Sequence, residues 1–229
     1  MKPKVIAIDG YSSTGKSSLA KKIATALGFI HVDTGAMYRA IAWYAMQNGL
    51  IAEDGDISEQ DLISQLPLIE TKFAINPELG KNEIYLNGEN VESKIRGMEV
   101  SNKVSQIAKV PQIRKHLVKL QRAMANDVGI VMDGRDIGSV VFPDAPVKIF
   151  LTASPKARAK RRFDELKSNG IEISMEEVER NINKRDLLDT QRATSPLVKA
   201  DDAIEVNNDN LNQYETFERV MEIIKEKGL

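Results

Sequence analysis

The chain has 229 residues, with 32 lysines and arginines against 33 aspartates and glutamates, so its formal net charge is −1. That length suffices for one sizeable domain with a buried core, and the balanced charge argues against nucleic acid or an anionic membrane as a partner. Cysteine is absent, which excludes disulfides and thiolate metal sites and favours a reducing cytoplasm. The two histidines, His31 and His116, form no ligand motif, so we expect no zinc site.

The first predicted elements are a strand over residues 5–9 and a helix over residues 17–27. Because residues 1–4 run directly into that strand, we expect no signal peptide, and no later run approaches the ~20 apolar residues that span a bilayer. The sequence therefore predicts a cytoplasmic protein without a membrane partner, which we expect to be a monomer.

The loop between these two elements contains a phosphate-binding motif. Gly10, Gly15, Lys16 and Ser17 match the pattern G-x-x-x-x-G-K-[ST] in its strand–loop–helix context, which disfavours a chance glycine turn. Inward-facing backbone N–H groups and the start of the helix bind phosphate, Lys16 reaches the β- and γ-phosphates, and the Ser17 hydroxyl binds Mg²⁺. We predict a nucleoside triphosphate on the loop residues Gly10, Tyr11, Ser12, Ser13, Thr14, Gly15, Lys16, Ser17 and Ser18.

Further strands and helices alternate along the rest of the chain, as in an α/β fold. Gly28 is predicted to end the first helix, and residues 29–33 are predicted to form a second strand. Thr34 is predicted to be the N-cap of a helix that runs to about residue 48. Residues 54–96 do not follow this alternation. Within them, residues 72–75 and 83–86 resemble antiparallel strands, and Asn87-Gly88 is typical of a hairpin turn. Helices are predicted at 99–108, 112–126, 155–168, 175–189 and 211–227, and strands at 129–133, 147–151 and 203–206. The core is therefore predicted to be a five-stranded, doubly wound parallel sheet flanked by helices.

Charged residues follow several of these strands at their carboxyl ends, where ligands of such sheets bind. Asp133 ends a strand and suits an acid that organises Mg²⁺ or its waters. Arg39 and Arg135 follow strand ends, and Arg185 and Arg192 lie further along the chain. A guanidinium donates two parallel hydrogen bonds to phosphate, although a single arginine is more often a surface residue.

A basic run near residue 160 allows two interpretations. Arg158, Arg161 and Arg162 share one helix face at (i, i+3) and (i, i+4) spacing. That face could close over a triphosphate as a lid, or it could simply be solvated. The residues alone leave both open.

One apparent motif is rejected. Asn183-Lys184-Arg185-Asp186 spells the N-K-x-D pattern with which GTPases read guanine, but there it follows a buried strand. Here it continues a charged helix, so we expect no guanine-specific switch.

Several segments together resemble bacterial cytidylate kinases over nearly the whole chain and in the same order. They are residues 10–18, 33–39, 133–138, 141–145, 149–154, 185–192 and 193–197. Together these motifs are highly specific for the family, because a phosphate loop, D-[ST]-G-x-x-Y-R and D-G-R-D rarely occur in one sequence. The resemblance implies a P-loop kinase fold with a core at 1–53 and 110–229, an insertion that binds the nucleoside monophosphate (NMP) at about 54–109, and a short lid at about 155–170.

The resemblance also implies an activity and a set of residue roles. The reaction is transfer of the γ-phosphoryl group of ATP to CMP or dCMP, with Mg²⁺. Positions matching the family's substrate-binding residues are Thr34, Arg39, Ser105, Arg114, Arg135, Asp136, Arg185, Asp189 and Arg192. Of these, Arg39, Arg135 and Arg192 bind the acceptor phosphate, Ser105, Arg114 and Asp136 recognise cytosine, and Arg185 and Asp189 hold the sugar. The implied catalytic charges are Lys16, Arg135, Arg192, Arg158 and Arg162, and the metal-binding residues Ser17 and Asp133.

Three positions depart from the family's pattern. Tyr11 and Ser13 replace the usual Pro and Gly in the phosphate loop, and Leu188 stands where some members have an arginine. Two alternative functions also stay open: a non-catalytic ATP-binding sensor, and a kinase of the same fold for UMP, AMP or shikimate. The arginines at strand ends favour an acceptor phosphate over a sensor, which needs only one nucleotide.

Overall fold

The computed structural model describes residues 4–52, 54, 56–78, 82–125 and 129–229. The strands are β1 (Val5–Gly10), β2 (Ile30–Asp33), β3 (Thr71–Ile75), β4 (Asn82–Leu86), β5 (Glu89–Asn90), β6 (Ile130–Gly134), β7 (Val147–Thr152) and β8 (Ile204–Asn207). The α-helices are α1 (Lys16–Leu27), α2 (Thr34–Gln47), α3 (Glu59–Gln65), α4 (Met98–Ile107), α5 (Pro111–Ala123), α6 (Pro155–Ser168), α7 (Met175–Gln191) and α8 (Gln213–Glu226). A 3₁₀ helix (Leu66–Leu68) follows α3, and a π-helix (Ile137–Val141) follows β6.

The chain divides into two compact units, and the first comprises Met1–Val32 and Met124–Leu229. It contains a five-stranded sheet in the order β2-β6-β1-β7-β8. β1 pairs in parallel with β6 and with β7, and β7 pairs in parallel with β8. The predicted five-stranded parallel sheet is thus confirmed.

Burial on both faces explains why β1 is a nearly continuous apolar run. All six of its residues are buried, as expected of a central strand covered by helices on either side. The core cluster of this unit joins the sheet to α1 and α8 through the buried side chains Ile6, Ile8, Leu19, Ile23, Val131, Ile149, Leu151, Val220, Ile223 and Ile224. The sheet therefore gives a fixed base to the loops that leave its strands.

The predicted helices and strands agree with the structure apart from shifts at their ends. Gly28 ends α1 with a left-handed φ of 67°, and Pro111 begins α5. The prediction that Thr34 caps α2 is wrong. Asp33 is the N-cap, because its backbone is extended and its Oδ1 accepts from Ala36 N at 3.0 Å, whereas Thr34 is already helical. The predicted end of the helix at Asn126 lies outside the described residues.

The second unit is Asp33–Ala123. Its sheet has three strands in the order β3-β4-β5, both pairs antiparallel, and the Asn87-Gly88 turn joins the last two as predicted. Helices α2, α4 and α5 contribute buried apolar residues, among them Ile41, Ile107 and Leu117. None of the helices in the described part of the chain is long and apolar enough to cross a membrane.

Candidate active site

The phosphate loop leaves β1 at a position where only glycine fits. A Cβ at Gly10 would lie 2.1 Å from the carbonyl oxygen of Leu151 in the adjacent strand β7. The loop then passes through Ser13, a non-glycine residue with φ of 60°. Side chains in this left-handed region cost roughly 1–2 kcal/mol. Ser13, where the family usually has glycine, therefore adopts a left-handed backbone conformation that glycine adopts with less strain.

Lys16 lies inside the curve of the loop. Its Nζ donates to the carbonyl oxygen of Tyr11 at 2.7 Å, and the Thr14 hydroxyl donates to the same oxygen at 3.2 Å. The lysine is 6% exposed, at the first turn of α1. Its charge and the positive end of the helix dipole therefore act together beside the loop. This arrangement suits an anionic ligand.

Arginines of α6 contact the outer side of the loop. Arg158 is buried, and its NH1 donates to Ser12 O at 3.2 Å and pairs with Asp186 at 2.5 Å. Its guanidinium carbon lies 5.2 Å from the centroid of the Tyr11 ring, within cation–π range. The Tyr11 ring also contacts the Phe150 ring edge to face, with 6.1 Å between the ring centroids. Tyr11, the second departure from the family's pattern, therefore packs between the sheet and α6.

The other two arginines of that basic face differ from each other. Arg161 donates to Thr14 O at 3.4 Å and to both oxygens of Asn208, with 2.9 Å to the side chain. Arg162 pairs with Glu165 on the same helix at 2.9 Å. The interpretation of the whole face as solvated is thus wrong, because Arg158 and Arg161 bind carbonyl oxygens of the phosphate loop.

Ser17 and Asp133 lie together at the start of α1. The Ser17 hydroxyl donates to Asp133 Oδ2 at 2.6 Å, which joins the phosphate loop to the end of β6. His31 Nε2 lies 2.8 Å from the other carboxylate oxygen, Oδ1. Asp133 is 2% exposed. The two predicted metal-binding residues are thus adjacent, with a histidine on their far side.

The segment after Asp133 is fixed by a buried carboxylate. Asp9 Oδ1 and Oδ2 accept from Ile137 N and Gly138 N, each at 2.7 Å. Burial raises the pKa of Asp9 to about 7; the two N–H donors lower it in part and Asp136 raises it. Asp9, near the end of β1, therefore anchors the π-helix that follows Arg135 and Asp136.

Arg135, Asp189 and Arg192 form a network with Asp136 in the first unit. Arg135 Nε donates to Asp189 Oδ2 at 2.8 Å, and Arg192 lies 3.7 Å from Asp136 and 4.0 Å from Asp189. Burial is the largest single influence and lowers the pKa of Arg135, but Asp189, Asp186 and Asp133 together raise it by more, so the net shift is upward. Burial likewise opposes, without cancelling, the lowering of the Asp189 pKa by Arg135, Arg185 and Arg192. Three predicted arginines therefore converge on one carboxylate.

In the second unit, Asp33 holds two arginines. Its Oδ2 accepts from Arg39 NH2 at 2.8 Å and from Arg96 NH1 at 2.9 Å, and Arg96 also pairs with Glu92. A Cβ at Gly35 would lie 3.0 Å from Arg39 NH1 and from Asp33 Oδ1, so glycine gives the pair room. The predicted residue Arg39 is therefore accompanied by a second guanidinium.

Arg114 and Ser105 are buried in α5 and α4, and Thr34 is buried at the start of α2. Arg114 is 2% exposed, its NH1 donates to Ala108 O at 3.3 Å, and its guanidinium lies 5.5 Å from the Tyr38 ring centroid. A side chain placed this way does not face solvent at the start of its helix. Burying a permanent charge is costly unless it has polar or aromatic partners, as it does here.

The sequence reasoning missed four residues that contact the predicted ones: Asp9, His31 and Asn208 in the first unit, and Arg96 in the second. Asp9 carries a local signal, since a carboxylate inside a buried strand needs partners. His31 lies two residues before Asp33, but nothing in the sequence indicates that it pairs with Asp133, which is 102 positions away. Asn208, whose Nδ2 donates to Thr14 O at 3.0 Å, lies 194 positions from its partner. Such long-range pairs leave no mark in a short pattern.

Comparisons with known proteins identify the same family over nearly the whole chain. The family model described as Cytidylate kinase matches residues 6–226. A protein of Flavobacterium johnsoniae named Cytidylate kinase is 54% identical over 226 residues, covering 99% of this chain and 98% of that protein. One of Parabacteroides distasonis, with the same name, is 51% identical over 215 residues, covering 94% and 93%.

A solved structure shares the fold. The crystal structure of an uncharacterized protein from Eubacterium ventriosum superposes with a TM-score of 0.51 at 13% identity, covering 98% of this chain and 99% of that chain. At that identity the likeness concerns the architecture alone.

Proposed function

Because the chain belongs to the cytidylate kinase family, we propose that it transfers the γ-phosphoryl group of ATP to CMP or dCMP, giving ADP and CDP or dCDP. The observation that carries this proposal is a complete phosphate loop, with Lys16 inside it, in a chain that matches the family over residues 6–226. The sensor and the kinases for other acceptors are not favoured, because the relatives at about half identity are named cytidylate kinases. The cytoplasmic location and the monomeric state stay predictions.

ATP binds through the phosphate loop, residues 10–18. Lys16 Nζ, which donates to Tyr11 O, is placed to exchange that carbonyl for the β- and γ-phosphate oxygens. Arg158 and Arg161 lie against the carbonyl oxygens of Ser12 and Thr14, close to the same phosphates. Arg158 and Arg161, together with Arg162, belong to the proposed lid at about 155–170. Their positive charge offsets the negative charge of the γ-phosphoryl group during the transfer.

The residues at the start of α1 fit Mg²⁺. A hydroxyl and a carboxylate oxygen, Ser17 Oγ and Asp133 Oδ2, lie 2.6 Å apart, and oxygen is the ligand atom that Mg²⁺ prefers. In the described part of the chain no group of three or more His, Cys, Asp or Glu could hold a metal by itself. Kinases of this kind bind Mg²⁺ through one or two protein oxygens and the substrate phosphates. When bound, the ion adds charge neutralisation to that of Lys16.

The acceptor phosphate binds to Arg39, Arg135 and Arg192. Each of these guanidiniums pairs with a carboxylate, namely Asp33, Asp189 and Asp136. The carboxylates orient these guanidiniums, and a guanidinium matches the geometry of a phosphate dianion with two parallel N–H donors. The proposed NMP-binding insertion at about 54–109 supplies Arg96 beside Arg39.

The base and the sugar are read by buried polar groups. Ser105, Arg114 and Asp136 recognise cytosine, Arg185 and Asp189 hold the sugar, and Thr34 presents a hydroxyl where the family usually has serine. Burial supports these roles, since Ser105, Arg114, Asp136 and Asp189 are each at most 5% exposed. A polar group so placed discriminates strongly, because a wrong ligand leaves it without a partner.

The transfer itself needs alignment and charge neutralisation, not a protein base. The acceptor phosphate is already largely ionised at neutral pH, so its oxygen can attack the γ-phosphorus in line. Water must be excluded, since it would otherwise hydrolyse ATP. Closure of the lid over the nucleotides serves that purpose.

A coupled assay of ADP release tests the proposal with CMP, dCMP, UMP, AMP and GMP as acceptors. We expect turnover with CMP and dCMP well above that with the other three. Turnover with none of the five would favour the ATP-binding sensor. Turnover with UMP alone would show that UMP, and not CMP or dCMP, is the acceptor.

A further inference from the structure

His31 has no role in the reaction described above, yet it contacts one of its central residues. The imidazole Nε2 lies 2.8 Å from Asp133 Oδ1, and its side chain is 18% exposed. A carboxylate oxygen only accepts, so Nε2 carries the hydrogen and donates it. On the other side of the same carboxylate, Oδ2 accepts from the Ser17 hydroxyl at 2.6 Å. The three side chains form the chain of hydrogen bonds His31–Asp133–Ser17.

We propose that His31 is a positioning residue that orients the Asp133 carboxylate toward Ser17 and so raises the affinity of the kinase for the divalent cation that accompanies the nucleotide. The inference rests on the proposed function of Ser17 and Asp133. It gives the histidine a role through Asp133 and not through its own contact with cation or nucleotide.

The physical need for such a residue lies in the freedom of a carboxylate. The terminal torsion of aspartate is broad and roughly two-fold, so one hydrogen bond from Ser17 does not fix the plane of the group. A second hydrogen bond from the opposite side does. Because β2 is the neighbour of β6 in the sheet, the imidazole is carried by a rigid strand and not by a loop. Groups that hold a metal-binding carboxylate in place typically change metal affinity by 10- to 100-fold.

The surroundings of His31 favour this role over simple packing. The residue lies on β2, whose burial rises from an exposed Ile30 to a buried Val32 and Asp33. An apolar side chain would fill a partly buried strand position equally well, but it could not donate to Asp133. The oxygen left without its donor would belong to a carboxylate that is 2% exposed, where loss of a hydrogen bond to a charged group is costly.

Two variants test the proposal. His31→Leu removes the donor while keeping bulk, and His31→Gln keeps an Nε2 donor at a similar reach. Mn²⁺ serves as the probe, and its dissociation constant from the enzyme–ADP complex is measured by electron paramagnetic resonance of the free ion. ADP affinity in EDTA is measured by calorimetry for all three proteins, so that loss of cation is separated from loss of nucleotide.

We expect His31→Leu to weaken Mn²⁺ binding by about tenfold, and His31→Gln to stay within about twofold of the wild type. ADP binding in EDTA should change less than twofold in both. Wild-type Mn²⁺ affinity in His31→Leu, equal defects in the two variants, or an equal loss of ADP in EDTA would each overturn the proposal. Because these are binding measurements, a wild type that binds Mn²⁺–ADP but does not phosphorylate CMP refutes the proposed function and leaves this test intact.

Discussion

The phosphate loop and the arginine–carboxylate pairs are held together by different kinds of contact. In the loop, Lys16 and Thr14 both donate to Tyr11 O, which lies five and three residues away. Two of the arginines are held by distant carboxylates: Arg135 by Asp189, 54 positions away, and Arg96 by Asp33, 63 positions away. Contacts of the first kind follow from local backbone geometry, and those of the second kind exist only in the finished fold.

This difference predicts how the two regions respond to substitution. Removing a loop charge leaves local hydrogen bonds largely in place, so the loss falls on catalysis. Removing an arginine leaves a buried carboxylate short of a partner, so part of the loss falls on stability. Lys16→Ala and Arg135→Ala test this contrast, and substitutions of Asp9 and Arg114 test other buried charged groups.

The largest effect is expected from Lys16→Ala. We expect kcat to fall by about 10² or more, since a preorganised charge at the transferring phosphoryl group is lost. The melting temperature should change little, because Thr14 still donates to Tyr11 O. The coupled assay and a thermal melt measure both quantities. Lys21→Ala, on the exposed side of α1, is the matched control and should be silent. Wild-type turnover in Lys16→Ala would mean that the loop does not serve the transfer.

A smaller and more selective effect is expected from Arg135→Ala. The KM for CMP should rise by about 10- to 100-fold, because the loss of one or two charge-assisted hydrogen bonds weakens binding by about that factor. The KM for ATP should change little. The variant should also be less stable, because Asp189 loses its 2.8 Å partner.

Arg180→Ala, an exposed arginine on α7, controls for loss of charge in the same unit. Equal increases in the KM values for CMP and ATP would remove Arg135 from the acceptor phosphate.

The Asp9 carboxylate predicts a dependence of stability on pH. Burial raises its pKa from 3.8 to about 7, so between those values the folded protein holds a proton that the unfolded chain has released. The contribution of Asp9 to the free energy of unfolding is therefore largest below about pH 4. It falls by roughly 1.4 kcal/mol per pH unit as the pH rises toward 7.

Asp9→Asn cannot titrate, so denaturant unfolding of the two proteins across pH 4–8 isolates this effect. The stability of the wild type relative to Asp9→Asn should decline up to about pH 7 and then level off. Parallel curves for the two proteins would contradict the assignment.

The same division between local and distant contacts explains what the sequence could predict. The strand–loop–helix unit at residues 5–27 and the Asn87-Gly88 hairpin follow from short patterns, and the structure has both. The cap of α2 was misassigned by one residue, because Asp33 and Thr34 are both good capping residues and only the backbone of Asp33 is extended. Pairings such as His31–Asp133 depend on which strands become neighbours, so no pattern of a few residues contains them.

Arg114→Met is expected to have the most specific effect, because it should act on the choice of base. Arg114 has only N–H donors, which suit the N3 and O2 acceptors of cytosine and oppose the N3–H of uracil. The side chain is 2% exposed, so its substitution removes a buried donor and leaves the base edge without a partner. Lys115→Met, at the exposed neighbouring position, is the matched control.

The ratio of kcat/KM for CMP to that for UMP, measured in wild type, Arg114→Met and Lys115→Met, tests most directly whether this chain selects cytidine monophosphate. We predict a lower kcat/KM for CMP in Arg114→Met and a ratio that narrows by at least about tenfold, with the wild-type ratio retained in Lys115→Met. A CMP-to-UMP ratio that Arg114→Met leaves unchanged would contradict the role of Arg114 and, with it, the account of how this chain recognises its base.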